Sequence, residues 1–148
     1  MSQKKPILIF IPILMLLCIV LAISITFFGH PHGWSEKALL QQINHGANNV
    51  ALPTKSGWRT WDKALIVCPY ATAKSAPVDF QETISTLDTN SSESTQWIIY
   101  HTPSGMVTDQ LSRNQVDFCY DSRSSTLIDA GQQFSVRKSE GTYRAIAN

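Results

Sequence analysis

Apolar and polar positions are spread unevenly along the chain, and the unevenness divides it. Residues 7–28, ILIFIPILMLLCIVLAISITFF, contain no charged residue. As a helix, these 22 residues would be about 33 Å long at ~1.5 Å per residue, enough to cross a bilayer core of ~30 Å. Pro12 falls inside the run, where membrane helices tolerate proline because neighbouring groups re-satisfy the backbone. A removable signal has an apolar region of about 7–15 residues and ends in a small-x-small cleavage site. Here the run is longer, and Phe27 and Phe28 precede Gly29, so the pattern favours an uncleaved anchor over a cleaved signal. Cys18 follows Leu16 and Leu17 and lies deep in the run, unlike the lipidated cysteine of a lipoprotein. Lys4 and Lys5 precede the span, and the next positive charge is Lys37 beside Glu36. The positive-inside rule then leaves the N-terminus in the cytoplasm and the rest of the chain outside it.

Beyond the span the pattern becomes that of a water-soluble fold. GHPHGW, residues 29–34, is a Gly- and Pro-rich exit, with Trp34 suited to the membrane interface. Ser35 is placed as the N-cap of a short helix over EKALLQQINHG, with Gly46 as its stop and His45 near the negative end of the helix dipole. NNVALPTKSGW reads as loop. Ala64 to Val67 form a continuous apolar run, the mark of a central strand covered on both faces, and Pro69 ends it. Phe80, Ile84 and Leu87 recur at i, i+4, i+7 and predict a helix over Val78–Leu87. TNSSESTQ is a polar loop carrying a glycosylation sequon at Asn90, relevant only in a eukaryotic secretory route. WIIYHT and MVTDQL flank Pro103-Ser104-Gly105 as a hairpin, and QQFSVRK and TYRAIA flank Ser139-Glu140-Gly141 as a second. QVDFCYD is a further strand, and SRSSTLIDAG reads as loop. The expected architecture is α+β: a mostly antiparallel sheet of about five or six strands with one or two helices, behind a single N-terminal transmembrane helix. The implied boundaries are a cytoplasmic tail (1–6), the span (7–28), a juxtamembrane linker with its short helix (29–57) and an extracytoplasmic domain (58–148).

Two of the three cysteines, Cys68 and Cys119, lie in the outer part, and both sit in strand-like flanks, LIVCPY and DFCYD. Outside the cytoplasm such thiols usually oxidise, so a structural disulfide is expected; two buried free thiols remain the alternative. A nucleophilic Cys119 with His101 as base is a third reading, with no local motif behind it.

Charge narrows the partners. The chain holds 12 Lys or Arg and 11 Asp or Glu, and no basic stripe, so nucleic acid is not an expected partner. His30 and His32 are two imidazoles without the further ligands a metal needs. No Gly-x-Ser-x-Gly, His-Glu-x-x-His, phosphate-binding glycine loop or Cys-x-x-Cys occurs. Asp62 and Asp117 are the carboxylates that could be paired for hydrolysis, though a strand-start aspartate more simply bonds nearby backbone. Among the aromatics, Tyr70, Trp61, Trp97 and Tyr100 are the candidate interface residues, against the alternative that most of them pack a core.

Trp61-Asp62, a strand, Pro69-Tyr70, a short helix, a hairpin and Asp117-Phe118 together resemble a diffuse group of small bacterial envelope proteins, some lipoproteins and some single-pass. The resemblance spans residues 58–136 and implies an envelope location rather than a chemistry. The expectation is thus a membrane-anchored, extracytoplasmic binding module on the cytoplasmic membrane. It is expected to be no enzyme, to use no cofactor, and to hold a protein partner of the envelope, in the manner of an immunity or inhibitor protein for example. The competing readings are an envelope hydrolase using acidic residues, or a structural subunit assembling through its span. That span has Ser24 and Thr26 as its polar residues and lacks Gly-x-x-x-Gly, so helix pairing is not signalled.

Overall fold

The computed structural model describes residues 33–56, 59–121 and 124–148. The expected tail and span (1–28), His30, His32 and Trp58 lie outside the described residues. Among the described residues, no helix is long and apolar enough to cross a membrane.

The elements run α1 (Trp34–Asn44), β1 (Asn49–Ala51), β2 (Lys55–Ser56), β3 (Arg59–Thr60), β4 (Lys63–Val67), a 3₁₀ turn (Ala73–Ser75), α2 (Val78–Ser85), β5 (Thr95–Thr102), β6 (Gly105–Ser112), β7 (Val116–Asp117), β8 (Thr126–Asp129), β9 (Gln133–Ser139) and β10 (Thr142–Ala147). The fold is a small α+β arrangement with two helices and mostly antiparallel sheets. One four-stranded sheet has the order β6-β5-β4-β8 and is antiparallel throughout. A second has the order β1-β9-β10-β7, with β10 and β7 as its parallel pair. β2 and β3 form a two-residue ladder.

The apolar run of β4 lies in the first sheet, between β5 and β8, and is buried from Ala64 to Val67. Because side chains alternate, its two faces feed two cores. Leu65 and Val67, with Ile99 and Trp97 opposite them on β5, pack against Phe80 and Ile84 of α2. Ala64 and Ile66, with Tyr100 and Ile98 opposite, pack with Leu39 of α1 and with Val50, Val116, Phe134 and Ala145 of the second sheet. The residues assigned to a linker by sequence thus supply core side chains: Leu39 and Val50 are fully buried. Trp34, expected at a membrane interface, packs on Tyr100 with ring centroids 5.0 Å apart.

Both expected hairpins form. β9 and β10 close through Glu140 and Gly141, both at positive φ (52° and 88°), the two-residue geometry that matches strand twist. Three local readings are corrected. The stretch read as loop at 122–131 contains β8, which pairs with β4 along its edge. The stretch read as loop before Trp58 contains β1, paired with β9. Ser35 is not the N-cap of α1: Gly33 is, at φ 78°. The acceptor for the first amides comes from β6 instead. The buried Asp109 carboxylate takes the Gly33 N–H at 2.7 Å and the Ser35 N–H at 2.8 Å, from 76 and 74 residues away. A carboxylate there satisfies orphan donors and faces the positive end of the helix dipole. The Glu36 carboxylate in turn accepts the Ser112 N–H at 2.6 Å.

Candidate functional site

Cys68 directly follows β4 and Cys119 follows β7, and the two are joined as a disulfide with Cα atoms 5.6 Å apart. Each is followed within two residues by an exposed tyrosine, Tyr70 and Tyr120, at 45% and 50% exposure. The bridge therefore ties together the two short segments that carry them.

The first segment is a turn. The Ala71 N–H donates to the Cys68 carbonyl at 3.1 Å, with Pro69 second and Tyr70 third in the turn. Tyr70 has φ 66°, the left-handed region. A turn with proline second and positive φ third normally places glycine or asparagine there. A bulky residue in that conformation costs about 1–2 kcal/mol. Surrounding bonds hold it. The Tyr70 N–H donates to the Thr89 carbonyl at 2.9 Å, and the buried Thr89 hydroxyl donates to the Ala71 carbonyl at 3.1 Å. The Tyr70 hydroxyl donates to the Glu93 carboxylate at 2.9 Å.

The second segment is built around an ion pair. Arg113, just after β6, grips Asp117 of β7 with Nε at 2.9 Å and Nη2 at 3.0 Å. Asp117 also accepts the Cys119 N–H at 2.8 Å, so the ion pair shapes the backbone at the disulfide. Arg113 reaches the Glu93 carbonyl at 2.8 Å, which fastens the loop before β5 to the same point. Tyr120 then lies under the guanidinium of Arg144 from β10, 3.4 Å from the ring centroid, a cation–π contact. Between the segments is a cleft of about 350 Å³ lined by Pro69, Tyr70, Glu93, Arg113, Cys119, Tyr120 and Asp121.

The other candidate aromatics are placed elsewhere. Trp61, Trp97 and Tyr100 are buried, with 6%, 6% and 0% exposure, and are corrected from interface to core residues. The reason is the sheet. β5 lies between β4 and β6, so Trp97 and Tyr100 project into the two cores on its opposite faces. Trp61 packs edge-on to Tyr100 at 5.1 Å and donates its indole N–H to the Pro53 carbonyl at 2.7 Å. The Tyr100 hydroxyl bonds with that of Ser35 at 2.7 Å. Burial pushes the Tyr100 phenol well above its ordinary range. Of the four candidates, Tyr70 alone is exposed, and Tyr120 joins it. Tyr120 stands beside Cys119 in QVDFCYD, and the polar stretch that follows it, DSRSS, is the sequence feature consistent with its exposure.

The catalytic alternatives do not assemble. Asp62 precedes β4 and bonds with Nδ1 of His101 at 2.7 Å; this exposed contact holds its carboxyl below the ordinary value. Asp117 lies by the disulfide at the far end of β4, engaged by Arg113. The two carboxylates are thus not paired. Cys119 is oxidised, so it offers no thiolate to His101. Among the described residues, no group of three or more His, Cys, Asp or Glu is placed to hold a metal.

No protein-family model, no curated protein and no solved structure matches the chain, so the reading of the site rests on its own geometry.

Proposed function

We propose that the protein is a membrane-anchored binding module whose contact surface is the Tyr70–Tyr120 face. Residues 7–28 are the anchor, the N-terminus is cytoplasmic, and the folded part is extracytoplasmic, at the cytoplasmic membrane of a bacterial envelope. The Cys68–Cys119 bridge supports that location, since disulfides persist in oxidising compartments. The partner is a protein of the same compartment.

One observation carries the reading. Tyr70 occupies a backbone conformation that favours glycine, yet its ring is held out at the surface beside a second exposed tyrosine. Strain kept at a surface site suggests a use for the side chain, and tyrosine is prominent among residues that dominate interface energies.

The test uses the full chain in its native membrane. A photo-crosslinking phenylalanine derivative replaces Tyr70 in one sample and Val78, exposed at the start of α2, in another. One stoichiometric adduct from position 70 and none from position 78 is the expected result. Equal labelling from both positions, or none from 70, ends the proposal. Alkylation of intact cells before and after reduction checks the location: both cysteines should be protected until reductant is added.

A further inference from the structure

The two larger sheets end in β6 and β8, and in β1 and β7. End strands turn backbone N–H and C=O groups outward, where they can accept a further strand. On three of these strands a side chain from another element takes outward groups. Gln42 of α1 donates to the Ala51 carbonyl of β1 at 2.9 Å and accepts the Ala51 N–H at 3.1 Å. Gln96 treats β7 the same way, through the Val116 carbonyl and the Phe118 N–H. The Glu36 carboxylate accepts the Ser112 N–H at the end of β6. Among the described residues, no side chain closes β8 in this manner.

The register identifies the groups of β8 that remain. The Ala130 N–H donates to the Asp62 carbonyl at 2.8 Å, and the ladder runs on from Lys63↔Asp129 to Ile66↔Thr126. In an antiparallel pair, residues bonded to the neighbouring strand alternate with residues turned away from it. Thr126 and Ile128 therefore bond to β4, while Leu127 and Asp129 direct their N–H and C=O groups outward. The Asp129 carbonyl accepts the Gln132 N–H at 3.1 Å. The outward groups of Leu127 meet no backbone partner among the described residues. Its side chain is exposed as well, and so are those of Thr126 and Asp129. The strand, TLID, has neither the lysine nor the proline that commonly blunts an edge.

We infer that β8 pairs antiparallel with β8 of a second copy of this chain, about a two-fold axis at Leu127. The strand complements itself in that register. Leu127 faces Leu127 of the second copy. The two exchange both backbone bonds, and their exposed side chains cover each other on the face that carries α2. Thr126 stands opposite Ile128 of the second copy, a pair of β-branched side chains. Asp129 stands opposite Ser125, so no two carboxylates face each other. The Ser125 hydroxyl is buried without a hydrogen-bond partner, and rotation about its Cα–Cβ bond brings it to the Asp129 carboxylate of the second copy. A contact of this symmetry closes at two copies and leaves no further β8 edge open. The ladder is short, and anchoring two chains in one membrane raises the effective concentration at which it forms. The inference needs no occupant at the Tyr70–Tyr120 face.

The experiment uses the full chain in its native membrane, with a photo-crosslinking phenylalanine derivative in place of Thr126. The expected product is an adduct of twice the chain's mass that yields peptides of this chain alone on digestion. Leu127→Pro should abolish it, because the lost N–H points away from β4 and the sheet can keep its own bonds. Leu127→Lys keeps the N–H but sets two ammonium groups opposite each other, and should abolish the adduct as well. Thr108→Lys, on β6 at the other edge of the sheet, should leave it in place. Cooperative melting in detergent micelles reports that each variant is folded; if Leu127→Pro is not, Leu127→Lys carries the test. No adduct, an adduct with a different protein, an adduct that persists in Leu127→Lys, or one lost equally in Thr108→Lys would overturn the inference.

Discussion

The two faces of the first sheet are covered in different ways. The face under α2 is held by apolar contacts: Leu65, Val67, Trp97 and Ile99 meet Phe80 and Ile84. The opposite face has an apolar core but also buries Gln96, Tyr100, Asp109 and Thr102. The first three reach elements outside the sheet. Gln96 donates to the Val116 carbonyl and accepts the Phe118 N–H, fixing β7. Asp109 and Tyr100 take the start of α1. Dispersion and burial hold a helix against the first face without much choice of register, whereas directional bonds on the second specify which elements dock and where. The disulfide belongs to the second face too, since Cys68 and Cys119 lie in its core.

Substitutions can test this difference. The largest effect is expected from Cys68→Ala with Cys119→Ala. The bridge spans 51 residues, and releasing a loop of that length costs about 4 kcal/mol in the chain-entropy picture, read from the urea midpoint. On the apolar face, Ile84→Ala should cost about 3 kcal/mol as a cavity and lower the stability of the whole domain, with an unchanged denaturant slope. On the polar face, Asp109→Ala should cost about 2 kcal/mol by leaving the Gly33 and Ser35 amides without their acceptor. Its signature should be local: amide exchange accelerates through α1 while α2 keeps its protection. If α2 loosens equally, the two faces are not separately organised.

Smaller changes address the strand ends. Tyr70→Gly relieves the left-handed strain but loses a hydroxyl bond and stiffness, so stability should stay within about 1 kcal/mol while the proposed partner contact is lost. The least effect belongs to Asp62→Asn. The wild-type carboxyl is held below its ordinary value, so its contribution is present above that value and fades as pH falls through the lowered one. The variant lacks that proton uptake, so its stability should depend less steeply on pH in acid: it should melt slightly below the wild type at neutral pH, and the difference should close as the pH falls.

The same contrast explains what the sequence made legible. The apolar face is written in periodicity: a continuous run for β4, and Phe80 with Ile84 one helical turn apart, although α2 ends at Ser85, short of Leu87. The β5–β6 and β9–β10 turns were readable from Pro103 and Gly141 and their neighbours. The polar face was not readable, because its rules are not local. Ser35 is a good N-cap by type, but the true acceptor is Asp109, on another strand. β8 was missed because a four-residue edge strand in a serine-rich stretch has little pattern to show. Tyr70 was singled out by its place after Pro69, but its positive φ follows from the turn at Cys68 and the Thr89 contact, which only the fold supplies.

The order of the second sheet also has a consequence for assembly during synthesis. β1 and β7 do not pair with each other; the hairpin of β9 and β10 stands between them. The first sheet is complete once residue 129 has emerged, but the second must wait for the last strand, which ends at Ala147. Both cysteines appear before that hairpin. A bridge formed early would join the end of β4 to the segment after β7, and so shorten the search by which the last strands find their places.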